Sequence, residues 1–154
     1  MDEKWIKYCV IGKVHKEDVV RYYICNLFRE LNIHRLSSKC VDIEFVDAID
    51  DDAQGIAIGD KDDVSIKIAR TSCGAPLSFL NQMQTLAHEM VHTKQFLRGE
   101  LGYDLKGNFK WKKECMEGKK YSEQPWEKEA ISLERSLFLK CFPFDTETTE
   151  YDLL

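Results

Sequence analysis

The stretch Leu86–Phe96, LAHEMVHTKQF, sets His88, Glu89 and His92 in the pattern HExxH, two histidines four residues apart with a glutamate directly after the first. At about 100° per residue, helix positions i and i+4 point the same way, so neutral imidazoles at 88 and 92 can bind one metal ion. The flanking residues support a helix. Phe79, Leu80, Met83, Leu86, Ala87, Met90 and Leu97 make one broad apolar face, while His88 and His92 fall opposite it, near Asn81 and Gln95. Gly99 is a C-cap signal, which gives a helix from about Ser78 to Arg98. Glu89 stands at the edge of the histidine face, and Lys94 and Gln95 are assigned no role. In a chain of this composition HExxH arises by chance in roughly one sequence in a hundred, which favours a metal site over two ordinary histidines on a wet face.

Outward from this helix, the spacing of Val20, Tyr23, Ile24, Leu27 and Leu31 predicts a packing helix from about Lys16 to Leu31. VDIEFVDAI, QGIAIG and VSIKIAR follow as short Val- and Ile-rich runs with period-two alternation and Asp or Gly between them, read as a small, mostly antiparallel sheet. GYDLKGNFKWKK predicts a hairpin turning at Gly107 and Asn108, and Pro125 opens a last helix reaching about Cys141. Helix, sheet, helix, hairpin and helix make an α+β domain.

The 154 residues suit one core, so residues 1–154 are expected to form one domain ending in an acidic tail at about 144–154. No window approaches the ~18 uninterrupted apolar residues of a membrane span. MDEKWIKYCVIG lacks the features of a secretory signal, so a cytoplasmic setting is expected, and the six cysteines, without any CxxC pair, read mostly as small core residues. The net charge of -5 disfavours a nucleic-acid partner, and Lys110, Lys112 and Lys113 read as solvated hairpin residues.

A zinc site with catalytic potential takes three protein ligands and leaves a position for water. The other histidines, His15 and His34, both precede the motif, so the HExxHxxGxxH arrangement of metzincins is excluded and the third ligand is a carboxylate or, less favoured, Cys115. Glu127 and Glu129 flank the apolar seam Trp126, Ala130, Leu133 and Leu137 of the last helix. Glu127 shares its flank with Ile131, Phe138 and Cys141, and a buried carboxylate needs a partner such as a metal; it is the stronger candidate, with Glu129 the alternative.

HEMVH on one helix with a glutamate on a later one resembles the gluzincin branch of zinc metallopeptidases. More narrowly, LAHEMVHTKQF with PWEKEA resembles small HExxH metallopeptidase-like proteins of bacteriophage and bacterial genomes, over about Val64 to Cys141. In gluzincin motifs the ligand glutamate is often followed by alanine three residues on, as Glu127 is by Ala130. The resemblance implies a minimal zincin-like fold, with the strand before the HExxH helix, here VSIKIAR, lining the cleft and adding a substrate strand. The activity expected is zinc-dependent peptide hydrolysis: His88, His92 and Glu127 hold Zn²⁺, Glu89 is the general base towards a water, and Tyr121, or second Tyr103, stabilises the oxyanion. A protein or peptide is then the partner. The alternative is a zinc-containing scaffold that occupies a partner protein without catalysis.

Overall fold

The computed structural model describes residues 4–116 and 124–144 of the chain. Over these residues the fold is α+β, as the order of elements led one to expect. Strands β1 (Lys7–Ile11), β2 (Cys40–Val46), β3 (Gly55–Gly59) and β4 (Asp63–Ala69) form the main sheet in the order β1-β2-β4-β3. Helix α1 (Glu17–Glu30) connects β1 to β2, and the short pair β5 (Thr71–Ser72) and β6 (Ala75–Pro76) leads into α2 (Phe79–Leu97). A three-stranded ribbon, β7 (Leu101–Tyr103), β8 (Phe109–Trp111) and β9 (Glu114–Cys115), lies between α2 and α3 (Pro125–Cys141). No helix among the described residues is long and apolar enough to cross a membrane.

The main sheet departs from the mostly antiparallel arrangement expected: β1, β2 and β4 run parallel, and only β3 opposes its neighbour. Alternation reports which face of a sheet is wet, and not which way its strands run. Here Val41, Ile43, Phe45, Val64, Ile66 and Ile68 are buried on the helix side, while Asp42, Ser65 and Lys67 on the other side are exposed. Direction follows from the connections. The α1 crossover carries the chain back before β2 starts, the requirement for a parallel pair. After β3 runs back, a tight turn in which Asp60 Oδ1 accepts the Asp62 and Asp63 N–H groups at 2.8 and 3.0 Å sends β4 up between β2 and β3. Strand β1 was not anticipated, because in KYCVI only Tyr8 and Val10 turn inward, too few to show a period.

The helices are bounded close to where the sequence placed them. Ser78 Oγ accepts the Asn81 N–H at 3.1 Å to cap α2. At its other end Gly99 takes a φ of +73°, its N–H bonded to Phe96 O at 2.9 Å and that of Glu100 to Gln95 O at 2.8 Å. This paired closure needs a left-handed residue, which glycine adopts without a Cβ penalty. Helix α3 opens with Pro125 in its first turn and ends at Cys141. Its expected seam bends: Trp126, Ala130, Leu137, Phe138 and Cys141 are buried, whereas Leu133 is exposed.

Helix α2 lies on β3 and β4, α3 packs along α2, and α1 touches both helices. The inward residues of β3 are Gly55, Ala57 and Gly59, small enough for the HExxH helix to come close to the strand. With α3 on its other side, the second half of α2 has no wet face: Glu89, His92, Thr93 and Gln95 are buried along with Met90, Val91 and Phe96. Tyr23 ties α1 to this layer by donating its hydroxyl to Met83 O at 2.7 Å. Each large core side chain here contributes about 1.5–3 kcal/mol through removal of apolar surface from water.

Candidate metal centre

His88 and His92 project from α2 toward Glu127 in the first turn of α3. His92 Nε2 is 2.7 Å from Glu127 Oε1, His88 Nε2 is 3.2 Å from Glu127 Oε2, and the two Nε2 atoms are 3.2 Å apart. One donor atom from each residue lies within 4.8 Å of the others. Ligands bound tetrahedrally at ~2.0–2.2 Å stand about 3.3 Å from one another, so the 3.2 Å between the two Nε2 atoms already matches, and Glu127 brings one oxygen to each histidine. The donor set fits as well, since two imidazoles and a carboxylate suit a borderline divalent ion. His88, His92 and Glu127 could therefore hold a metal ion.

Glu127 reaches this point because Trp126 anchors the start of α3, its ring packed 4.9 Å from that of Phe109 and 6.3 Å from that of Trp111. The N-terminal end of the helix dipole favours a carboxylate in that first turn. Glu129, the other candidate, points elsewhere: its Oε1 accepts from Gln95 Nε2 at 3.2 Å and lies 3.5 Å from Lys94 Nζ. Cys115 is exposed in the ribbon, its Sγ 3.3 Å from Asp104 Oδ2, outside the ligand group. Tyr121 lies outside the described residues. Tyr103 lines the same cleft as His88, Glu89, His92 and Glu127.

That cleft encloses about 520 Å³. Ala53, Gly55, Ile56, Ala57 and Ile58 form one side, and Tyr103, Phe109 and Trp126 stand with the ligand residues as its remaining lining. The strand beside it is thus β3 rather than the expected VSIKIAR. The latter is β4, hydrogen-bonded to β2 and β3 and so without a free edge, whereas β3 is the end strand of the sheet.

Glu89 is buried beside the ligands and is not one of them. Burial pushes its carboxyl up to about 7, although His92 and His88 pull it the other way. For both histidines burial is the largest influence and acts downward, but the hydrogen bond to Glu127 and the charge of Glu89 outweigh it, leaving each above the ordinary range. In the metal-free chain all three groups thus hold protons more tightly folded than unfolded. For Glu89 that stability is complete below the ordinary carboxylate value of ~4.3 and is lost as pH rises through about 7. For the histidines it is complete below ~6.5 and is lost above that. A metal requires the deprotonated ligands. Between about pH 5.5 and about pH 8 the thermal midpoint of metal-stripped protein is therefore expected to fall, while the increment added by saturating metal grows. Thermal melts with and without metal across this range check both slopes.

Glu89 is held in place by an absence on β3. A Cβ built on Gly55 would stand 2.6 Å from Thr85 Cγ2 and 3.1 Å from both Cγ and Oε1 of Glu89. Gly55→Ala is expected to displace the carboxylate, at an overpacking cost of about 1–3 kcal/mol. Metal affinity should change by no more than about threefold, because no ligand is touched, while any reaction that uses Glu89 slows at least tenfold. Adding Thr85→Ser, which removes the nearest methyl, should restore part of the loss. Paired metal titrations and rate measurements on the single and double variants test this.

Three residues around the site carried no signal that was used in the sequence. Gly55 sits in a run, QGIAIG, whose small inward residues hint at a close helix. Gln95 follows His92 by three, a spacing that keeps it on the histidine side of the helix, and its Oε1 is 2.8 Å from His92 Nδ1. Glu134 Oε1 lies 3.7 Å from His88 Nδ1, seven residues after Glu127 and so two turns along the same face of α3. Set against known proteins, the chain matches no protein-family model and no curated protein. The site is therefore read from its own residues.

Proposed function

We propose that this chain is a zinc-dependent metallopeptidase of zincin-like fold, gluzincin in type, acting on protein or peptide substrates. The observation that carries this reading is the convergence of His88, His92 and Glu127 beside a buried carboxylate, Glu89, that is left free of ligand duty. A structural zinc site closes its shell with four protein ligands, and among the described residues only three converge here, next to an open cleft. Zinc bound at this point would polarise a peptide carbonyl and acidify a water molecule toward a pKa of ~7.

The chain's own groups supply the rest. Glu89, buried beside the ligands and raised above the ordinary carboxylate range in the metal-free chain, is placed to take a proton from water and return it to the departing amine. Burial raises the Tyr103 hydroxyl further above its ordinary range, so it stays protonated and can donate a hydrogen bond to the developing oxyanion. Gln95 and Glu134 face the Nδ1 atoms of His92 and His88, leaving both Nε2 atoms toward Glu127. Beside the ligands, β3 is an end strand among the described residues, an edge along which an extended peptide can add as a strand.

The test is incubation of the full, zinc-loaded chain with an unfolded protein and mass-spectrometric reading of new amino termini. Cleavage that a zinc-binding hydroxamate blocks supports the proposal. Bound zinc with no cleavage of any unfolded protein or peptide overturns it in favour of a non-catalytic scaffold.

A further inference from the structure

Gln95 is fully buried, and the proposed chemistry gives it no proton to carry. Its surroundings decide which way its amide faces. Nε2 lies 3.0 Å from the Trp126 backbone oxygen and 3.2 Å from Glu129 Oε1. A backbone carbonyl can only accept, so the NH₂ end of the amide must occupy that side. The Oε1 end then meets His92 Nδ1 at 2.8 Å, and because an amide oxygen also only accepts, it is the ring nitrogen that donates. Nε2 faces Glu127 Oε1 at 2.7 Å, a carboxylate oxygen that likewise only accepts, so without metal this nitrogen also carries a hydrogen; a metal displaces that hydrogen, while the one on Nδ1 stays with Gln95.

We infer that Gln95 is the positioning residue of the metal centre: through one buried amide it passes the fixed polarity of the Trp126 carbonyl on α3 to His92 on α2, selecting the tautomer whose Nε2 can bind metal. The inference rests on the reading of His88, His92 and Glu127 as ligands. Trp126 is the residue directly before Glu127, so the same amide that orients one ligand through its oxygen ties down the backbone beside another through its nitrogen. Two ligands on separate helices are thereby set before any metal arrives. Glu129 acts in support: it accepts from the same amide nitrogen and is held by Lys94 at 3.5 Å. In this arrangement the residue that competed with Glu127 for the role of ligand steadies the amide behind the other ligands.

Two variants separate this role from plain packing. Gln95→Met keeps the volume but leaves the His92 Nδ1–H without its acceptor and takes the side-chain donor away from the Trp126 oxygen. Gln95→Glu keeps an acceptor for Nδ1–H but gives up the donor toward α3. The experiment is long-range ¹⁵N–¹H NMR of the histidine rings in the full-length, metal-free chain at a pH where the imidazoles are neutral, paired with zinc titration against a competing chelator. In the wild type the neutral His92 ring is expected to keep its hydrogen on Nδ1, Gln95 holding it there against the pull of Glu127 on Nε2. In Gln95→Met it becomes a mixture and zinc binds about 10–100-fold more weakly, the usual cost of removing a ligand's hydrogen-bond partner. Gln95→Glu should rescue the tautomer and recover part of the affinity, which keeps the test decisive if the methionine variant does not fold. An Nε2–H wild type overturns the inference, as does a Gln95→Met chain with an unchanged tautomer, whether or not its zinc affinity falls. Because the tautomer is read without metal, a wild type that binds no zinc would sink the ligand assignment and leave the Gln95 result legible on its own.

Discussion

Glu127→Ala is expected to lower zinc affinity on the order of a thousandfold, beyond the 10–100-fold that follows loss of a partner behind a ligand. Among the described residues Glu127 is the carboxylate that meets both imidazoles, at 2.7 Å from His92 Nε2 and 3.2 Å from His88 Nε2, so its removal leaves the two histidine donors on one helix. Glu129→Ala is the matched control. Glu129 touches the Gln95 amide and approaches Lys94, and its loss should weaken zinc by no more than about tenfold. Isothermal titration of both variants, each prepared metal-free, reads the contrast directly. If the two variants bind alike, Glu127 is not the third ligand.

Glu89→Gln should do the opposite, keeping the metal and removing the chemistry. The substitution preserves shape and one acceptor oxygen while exchanging the other for an amide NH₂, and zinc affinity should stay within about threefold of the wild type because no ligand atom is lost. Without a carboxylate to take and return the proton, kcat should fall by roughly 10²–10⁴, the usual contribution of a positioned general base, with KM little changed. Unfolding is not a competing explanation. A carboxyl that burial raises to about 7 is costly to ionise, so a neutral amide at the same place should leave the metal-free chain as stable as the wild type or more so at about pH 8. Thermal melts alongside the kinetics verify that the loss belongs to the reaction.

Particular residues show how far the sequence could be read. The ends of α2 and α3 were legible because Ser78, Gly99 and Pro125 act through local backbone chemistry, the kind of signal a linear string carries. The convergence of His88, His92 and Glu127 was legible in part: helical spacing aligns His88 with His92, and the flank of α3 favoured Glu127 over Glu129, although Ile131 of that flank is exposed. Strand direction was not, since alternating Val41, Ile43 and Phe45 look the same whether the neighbouring strand is parallel or not. The strand bordering the cleft was misread because sequence order places VSIKIAR next to the helix, whereas the sheet places β3 at its edge. Gln95 was placed on the histidine side of the helix without a role because the element that buries it, α3, begins thirty residues later. Its role depends on the Trp126 carbonyl, which no local pattern connects to it.

One metal at this trio is expected to make the chain a peptidase. Zinc titrated into the metal-stripped, full-length protein, with release of new amino termini from an unfolded substrate followed at each addition, measures this directly. Activity is expected to be absent in the stripped protein, to rise in proportion to zinc bound and to level off at about one equivalent per chain. Cleavage that persists in the stripped protein, or one equivalent of zinc bound with no cleavage, would contradict it.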